Sequence, residues 1–161
     1  MRLAEVLAGL NAAGVRFVVV GGVAANAHGS PLYTADVDIC YEPSAENRER
    51  LATVLVSWHA YLRGVEPGLP WVLDARTLRD APVLTLTTRL GDTDVMDRVA
   101  GVGEYPKVEA ASVEVNVTGI PIRVLALDAL ISAKKASGRH KDLEALLELE
   151  ALREERRRRG L

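Results

Sequence analysis

Residues 15–41 read VRFVVVGGVAANAHGSPLYTADVDICY, and the reading of this stretch decides the fold. Val15 to Val20 is a run of β-branched and aromatic residues cut off by Gly21-Gly22, the pattern of a strand buried on both faces. Ala24 to His28 reads as a short helix closed by Gly29 and Pro31. From Asp36 to Tyr41 the residues alternate, so Asp36, Asp38 and Cys40 share one face of a second strand while Val37, Ile39 and Tyr41 share the other.

That second strand carries its charge on one side. Residues two apart on a strand face have Cα atoms roughly 6 to 7 Å apart, so the Asp36 and Asp38 carboxylates stand side by side and need a cation. Hard oxygen donors favour Mg²⁺, which takes one or two carboxylates and completes its shell with water and substrate phosphates. An Asp-x-Asp pair also occurs at exposed sheet edges and turns, and Gly-Gly also serves as a plain strand-to-helix turn. The conjunction is more specific: glycines let backbone N–H groups approach a phosphate at a helix start. A phosphate cradle beside a metal pair points to attack on a metal-bound nucleoside triphosphate.

Working outward, Leu3, Val6, Leu7 and Leu10 recur at helical spacing between Arg2 and Ala13, and Asn11 to Gly14 supplies the stop. Ser44 is placed as N-cap of a helix that runs through Leu51, Val54 and Leu55 to about Trp58, with Asn47 where a capping box would prefer Glu. Arg63 to Arg79, with Gly64, Pro67, Gly68 and Pro70, reads as irregular apart from a short helix near Ala75 to Leu78. Val83 to Arg89 and Asp92 to Met96 form a hairpin around Leu90-Gly91, and Val113 to Thr118 and Ile120 to Leu125 form another around Gly119. Leu127 to Ala136 and about His140 to Arg157 are helical, the latter with Leu143, Leu146, Leu147, Leu149 and Leu152 expected to face the core. The expected class is α+β, a mixed sheet flanked by helices, in one domain over residues 1–161 with a C-terminal helical part at about 127–158.

Composition narrows the function. The 20 basic and 22 acidic side chains of the 161 residues nearly cancel, leaving a formal charge of -2, so no global field marks an obligate nucleic-acid binder. Cys40 is the one cysteine, which excludes an intrachain disulfide and a cysteine-built zinc site and fits a reducing, cytoplasmic setting. The N-terminus lacks the layout of a signal peptide, and no apolar run approaches the ~20 residues that span a bilayer, so a soluble protein with no membrane partner is expected.

The run from Gly21-Gly22 through Thr34-Ala35-Asp36-Val37-Asp38-Ile39 resembles the opening motif of minimal nucleotidyltransferases of the DNA polymerase β superfamily, especially the branch with AbiEii-like abortive-infection toxins. The resemblance implies a third acidic residue on a later strand. Leu90-Gly91-Asp92-Thr93-Asp94-Val95-Met96 offers Asp92 and Asp94, of which Asp94 matches the family pattern better; Asp97 faces the other way. Leu130 to Leu143 is similar to the helix pair that ends this branch, which implies that Lys134, Arg139 and Lys141 meet the triphosphate, with Asp142 as a local cap. It further implies a polymerase β-like fold, two Mg²⁺ ions shared by Asp36, Asp38 and Asp94, a nucleoside triphosphate as substrate, and Gly21 and Gly22 at its phosphates. The acceptor hydroxyl would belong to RNA, tRNA above all, to a protein or to a small molecule, with a cognate antitoxin as partner if the chain is a toxin. Where relatives often carry Arg two residues before the motif's Thr, this chain has Leu32 ahead of Thr34, so a basic contact is missing.

Other residues read as structural. His28 suits a helix cap, His59 and His140 are too isolated for a zinc site, Cys40 is not a magnesium ligand, and Trp58 and Trp71 suit packing. Arg153 to Arg159, five arginines and two glutamates, reads as a solvated helix end, with an RNA-contacting tail as the sharper alternative. A catalytically inactive nucleotide-binding or interaction module of the same fold is the competing function. Three aspartates that repel one another without metal argue against it.

Overall fold

The computed structural model describes residues 1–161. In chain order the elements are α1 (Leu3–Ala12), β1 (Phe17–Val20), α2 (Gly21–Ala27), β2 (Asp36–Tyr41), α3 (Ala45–Ser57), β3 (Tyr61–Leu62), α4 (Ala75–Asp80), β4 (Val83–Thr88) and β5 (Gly91–Met96). There follow β6 (Arg98–Val99), β7 (Gly103–Glu104), α5 (Tyr105–Ala110), β8 (Ser112–Val117), β9 (Ile120–Leu125), α6 (Leu127–Ser137) and α7 (Leu143–Arg158). Seven strands make one mixed sheet in the order β3-β4-β5-β2-β1-β9-β8, and β6 with β7 makes a small ribbon. β2 pairs with β5 and β1 with β9 in parallel, and the remaining pairs are antiparallel.

The α+β class and both expected hairpins are present. In the second, Thr118 and Gly119 both take positive φ, 53° and 84°, the backbone of a tight turn whose twist matches the strands it joins. Ser44 caps α3 as expected, its Oγ accepting from the Asn47 N–H at 3.2 Å. Asn47 has a further use that explains why it stands where Glu is usual. Buried, its Oδ1 accepts from Arg16 N–H at 2.8 Å and its Nδ2 donates to the carbonyls of Arg16 and Glu42, fastening α3 to the chain at the start of β1 and the end of β2.

A cluster of 35 buried apolar residues fills the space between sheet and helices, with Val6, Leu7 and Leu10 from α1 and Leu51 and Leu55 from α3. Trp58 is buried in it, and Trp71 packs edge-on against Tyr61 with ring centroids 5.9 Å apart. No helix is long and apolar enough to cross a membrane.

Two expectations need correction. α2 starts at Gly21, not Ala24: Gly21, at φ +64°, turns the chain straight from β1 into the helix. α7 starts at Leu143, because His140–Asp142 forms a separate 3-10 turn, and Leu143 and Leu147 are 53% and 59% exposed, not core-facing. At 3.6 residues per turn, Leu146, Leu149 and Leu152 span one arc of the helix and meet the core, while Leu143 and Leu147 fall outside it. The short helix expected near Ala75 to Leu78 is α4, which Asp74 caps through a capping box with Thr77, and β3, just before the irregular stretch, adds an edge strand.

Candidate active site

The parallel pairing of β2 with β5 sets Asp36 opposite Asp92 and Asp38 opposite Asp94. Strand alternation then puts all four carboxylates on one side of the sheet. Oxygens of Asp36, Asp38 and Asp94 lie within 4.8 Å of one another. Asp92 is drawn aside: its Oδ1 accepts from Thr87 Oγ1 at 3.0 Å and its Oδ2 lies 3.1 Å from Arg63 Nε. Asp97 is paired with Arg98 at 2.9 Å, outside the cluster. Cys40 is fully buried, and burial pushes its thiol up to about 12, so it stays protonated.

Burial, and then the charges of Asp36 and Asp94, push the Asp38 carboxyl up to about 7, against the pull of Lys134 and Arg63. Asp94 is also raised by burial, with Arg63 opposing. Three carboxylates converging within 4.8 Å concentrate negative charge at one point of the sheet, a place suited to a cation. Their all-oxygen donor set fits a hard divalent cation such as Mg²⁺ or Mn²⁺ better than a soft or nitrogen-seeking one.

The chain between β1 and β2 folds tightly against these acids. A Cβ on Gly21 would run into the Asp38 carboxylate, and one on Gly22 would meet Thr34 Oγ1 at 2.6 Å, so both positions are confined to glycine. Thr34 Oγ1 donates to the Asp36 carbonyl at 3.1 Å, while Asn26 Nδ2 donates to the carbonyls of Ser30 and Leu32, each at 2.8 Å. His28 ends α2 as a cap position, with its ring bonded to the Leu125 carbonyl at 2.8 Å; burial lowers its pKa and it lies away from the acids.

A cleft of about 690 Å³ opens in front of the cluster, lined by Gly22, Asp36, Asp38, Asp94, Lys134, Arg139 and Lys141 among others. Gly21 sits behind it against Asp38. The structure therefore brings the carboxylates and basic residues singled out in the sequence to one opening. Asp142 is more than a cap. Its carboxylate, 8% exposed, accepts from Lys134 Nζ at 2.9 Å, Arg139 Nε at 2.7 Å and Ser137 Oγ at 2.9 Å. Burial alone would raise it, but these bonds outweigh that and hold it at about 2. Leu32 lines the cleft, and Tyr33 stands 90% exposed at its edge. The arginine tail is largely engaged with the protein: Arg156 donates to the His28 carbonyl at 3.0 Å, and Arg158 and Arg159 pair with Glu154 and Glu155.

Arg63 went unnoticed in the sequence, where it opens an irregular segment with no periodic signal. Its guanidinium lies among Asp36, Asp92 and Asp94, closest to Asp94 Oδ1 at 2.6 Å.

The mixed sheet with its central β2–β5 acids and flanking helices is the nucleotidyltransferase, polymerase β-like fold. The lincosamide antibiotic adenylyltransferase LnuA, solved with lincomycin bound, is similar over 94% of this chain and 96% of its own, with a TM-score of 0.63 and 12% identity. ANT(2'')-Ia in complex with adenylyl-2''-tobramycin matches over 99% and 97% of the two chains, with a TM-score of 0.57 and 15% identity. A Thermotoga maritima protein assigned to the nucleotidyltransferases, TM1012, matches over 91% and 88%, with a TM-score of 0.58 and 20% identity. Neither a known sequence family nor a curated protein sequence matches the chain.

Proposed function

We propose that this protein is a metal-dependent nucleotidyltransferase that moves a nucleoside monophosphate from a nucleoside triphosphate to the hydroxyl of a small molecule. The observation that carries the reading is the convergence of Asp36, Asp38 and Asp94 at a cleft that Lys134, Arg139 and Lys141 also line. Mg²⁺ held by the three aspartates would supply Lewis-acid activation and charge neutralisation at the phosphates. Lys134, Arg139 and Lys141 bind the triphosphate, Gly22 on the cleft wall leaves room for it, and Gly21 lets α2 pack against Asp38. Asp94 takes the acceptor's proton as the hydroxyl oxygen bonds to the α-phosphorus and the bond to pyrophosphate breaks.

The small-molecule acceptor is favoured by the two antibiotic-handling proteins of the same fold and by a cleft of about 690 Å³. The AbiEii-like resemblance implies instead an RNA acceptor such as tRNA and an antitoxin partner; the structural likenesses support the wider class without favouring that branch. A second reading, a nucleotide-binding module without turnover, is favoured by Arg63, which neutralises part of the acid cluster without metal and weakens the case from repulsion.

The test is label transfer from α-labelled nucleoside triphosphates, with Mg²⁺, to panels of hydroxylated small molecules, total tRNA and protein, beside an Asp36→Ala control. Transfer to a small molecule that vanishes in the variant is expected. Retained nucleotide binding with no transfer to any acceptor would establish the inert module, and transfer confined to tRNA would establish the RNA acceptor.

A further inference from the structure

Arg63 follows β3 at the edge of the sheet, and two backbone features hold it over the acids. Its N–H donates to the Thr85 carbonyl at 3.0 Å, extending the pairing of β3 with β4 by one residue. Its Nη2 donates to the Leu86 carbonyl at 3.1 Å as well as to Asp94 Oδ1 at 2.6 Å. The other two nitrogens are poorly served. Nε lies 3.1 Å from Asp92 Oδ2 without the alignment of a hydrogen bond, and Nη1 is 3.8 Å from Asp36 Oδ2.

One guanidinium is thus spread across three carboxylates, two of which belong to the candidate metal triad, and it satisfies only one of them with a hydrogen bond. A group committed to a single structural pair would show the bidentate fork that Arg makes readily with a carboxylate. The arrangement instead resembles charge compensation, a fixed cation near the place where a mobile one is needed. Its hold on Asp36, at 3.8 Å, is electrostatic alone and is the contact most easily given up. The residues next along the chain allow such a withdrawal: Gly64 has φ +77° with open space around it, and Gly68 follows at φ +102°.

We propose that Arg63 is an internal competitor of the metal: it compensates the acid cluster when no cation is bound and retreats from Asp36 toward Asp92 when a divalent cation enters. The proposal rests on the reading of Asp36, Asp38 and Asp94 as metal ligands. It has two linked consequences. Removing the Arg63 charge tightens divalent-cation binding, because a positive charge beside the ligands is gone. It also lowers the stability of the metal-free protein, whose carboxylates are then uncompensated.

Titration of the metal-free protein with Mn²⁺ alone, followed by paramagnetic resonance of the free ion, tests this on wild type, Arg63→Gln, Arg63→Lys and Asp36→Ala. Thermal melts with and without Mn²⁺ accompany each titration. Arg63→Gln is expected to bind Mn²⁺ roughly tenfold more tightly, equivalent to about 1.4 kcal/mol. It is also expected to melt lower than wild type in chelator and to gain more from Mn²⁺. Arg63→Lys, which keeps the charge, should stay within about threefold of wild type. A folded Arg63→Gln that binds Mn²⁺ equally or more weakly would overturn the proposal and make Arg63 a mere support for Asp94. If Arg63→Gln does not fold, Arg63→Met, which also removes the charge, takes its place: tighter Mn²⁺ binding supports competition, and equal or weaker binding overturns it. Wild type and Arg63→Gln both failing to bind, or binding that survives Asp36→Ala, would defeat the metal reading itself and the proposal with it. Binding by Arg63→Gln but not by wild type is the strongest support.

Discussion

Replacing Asp38 by Asn should stabilise the metal-free protein at pH 8 while abolishing its response to divalent cations. Buried between Asp36 and Asp94, the Asp38 carboxyl titrates at about 7 against an ordinary value of 3.8. A folded-state value raised above the unfolded one means that the native protein binds the extra proton between those limits, so stability falls as pH rises through that window. At about 1.36 kcal/mol per unit, the shift costs at most about 4 kcal/mol above pH 7. Asn carries no charge and escapes that cost, so at pH 8 the variant should exceed wild type by on the order of 2–4 kcal/mol. Urea denaturation in chelator, at pH steps from 4 to 9, reads this directly. Wild type should lose stability from about pH 4 to pH 7 and then level off, whereas Asp38→Asn should lack that part of the slope. Adding Mg²⁺ at pH 8 should raise the wild-type midpoint and leave the variant unmoved. Equal slopes for the two proteins would refute the claim that crowded carboxylates destabilise the empty cluster.

Two further outcomes follow from the packing around the acids. Gly21→Ala forces a Cβ against the Asp38 carboxylate at a residue with φ +64°, so it should cost about 2 kcal/mol or more in urea melts and weaken Mg²⁺ binding, even though no ligand is removed. Asp142→Asn breaks the bonds to Lys134 and Arg139 and should cost on the order of 2 kcal/mol at pH 7. Because the Asp142 carboxyl is held at about 2, its contribution is present above pH 4 and is lost as pH falls from about 4 toward 2, so wild type and variant should converge across that range in urea melts.

What the sequence disclosed, and what it concealed, follows the range of the interactions. Asp36 and Asp38 were legible because strand alternation is local and the glycines before them punctuate the chain. Asp94 rested on resemblance; the parallel register that sets it beside Asp38, and the Thr87 and Arg63 contacts that draw Asp92 away, became visible only in three dimensions. Arg63 was out of reach, since a two-residue edge strand has no periodicity and its hydrogen-bonded partner Asp94 lies 31 residues away. The hub at Asp142 was read as a cap because its sequence neighbours suit one, and only the return of α6 against α7 brings Lys134 to it. Leu143 and Leu147 misled because counting leucines at helical spacing gives the presence of a stripe but not its angular width.

The location of Mn²⁺ in crystals grown with a non-hydrolysable nucleoside triphosphate analogue, found by anomalous scattering, decides most directly whether this cleft handles metal-bound nucleotide. An ion bound by Asp36, Asp38 and Asp94, with the phosphates running toward Lys134, Arg139 and Lys141, is the predicted result. Nucleotide bound with the ion elsewhere, or bound in this cleft with no ion at the three aspartates, would contradict it.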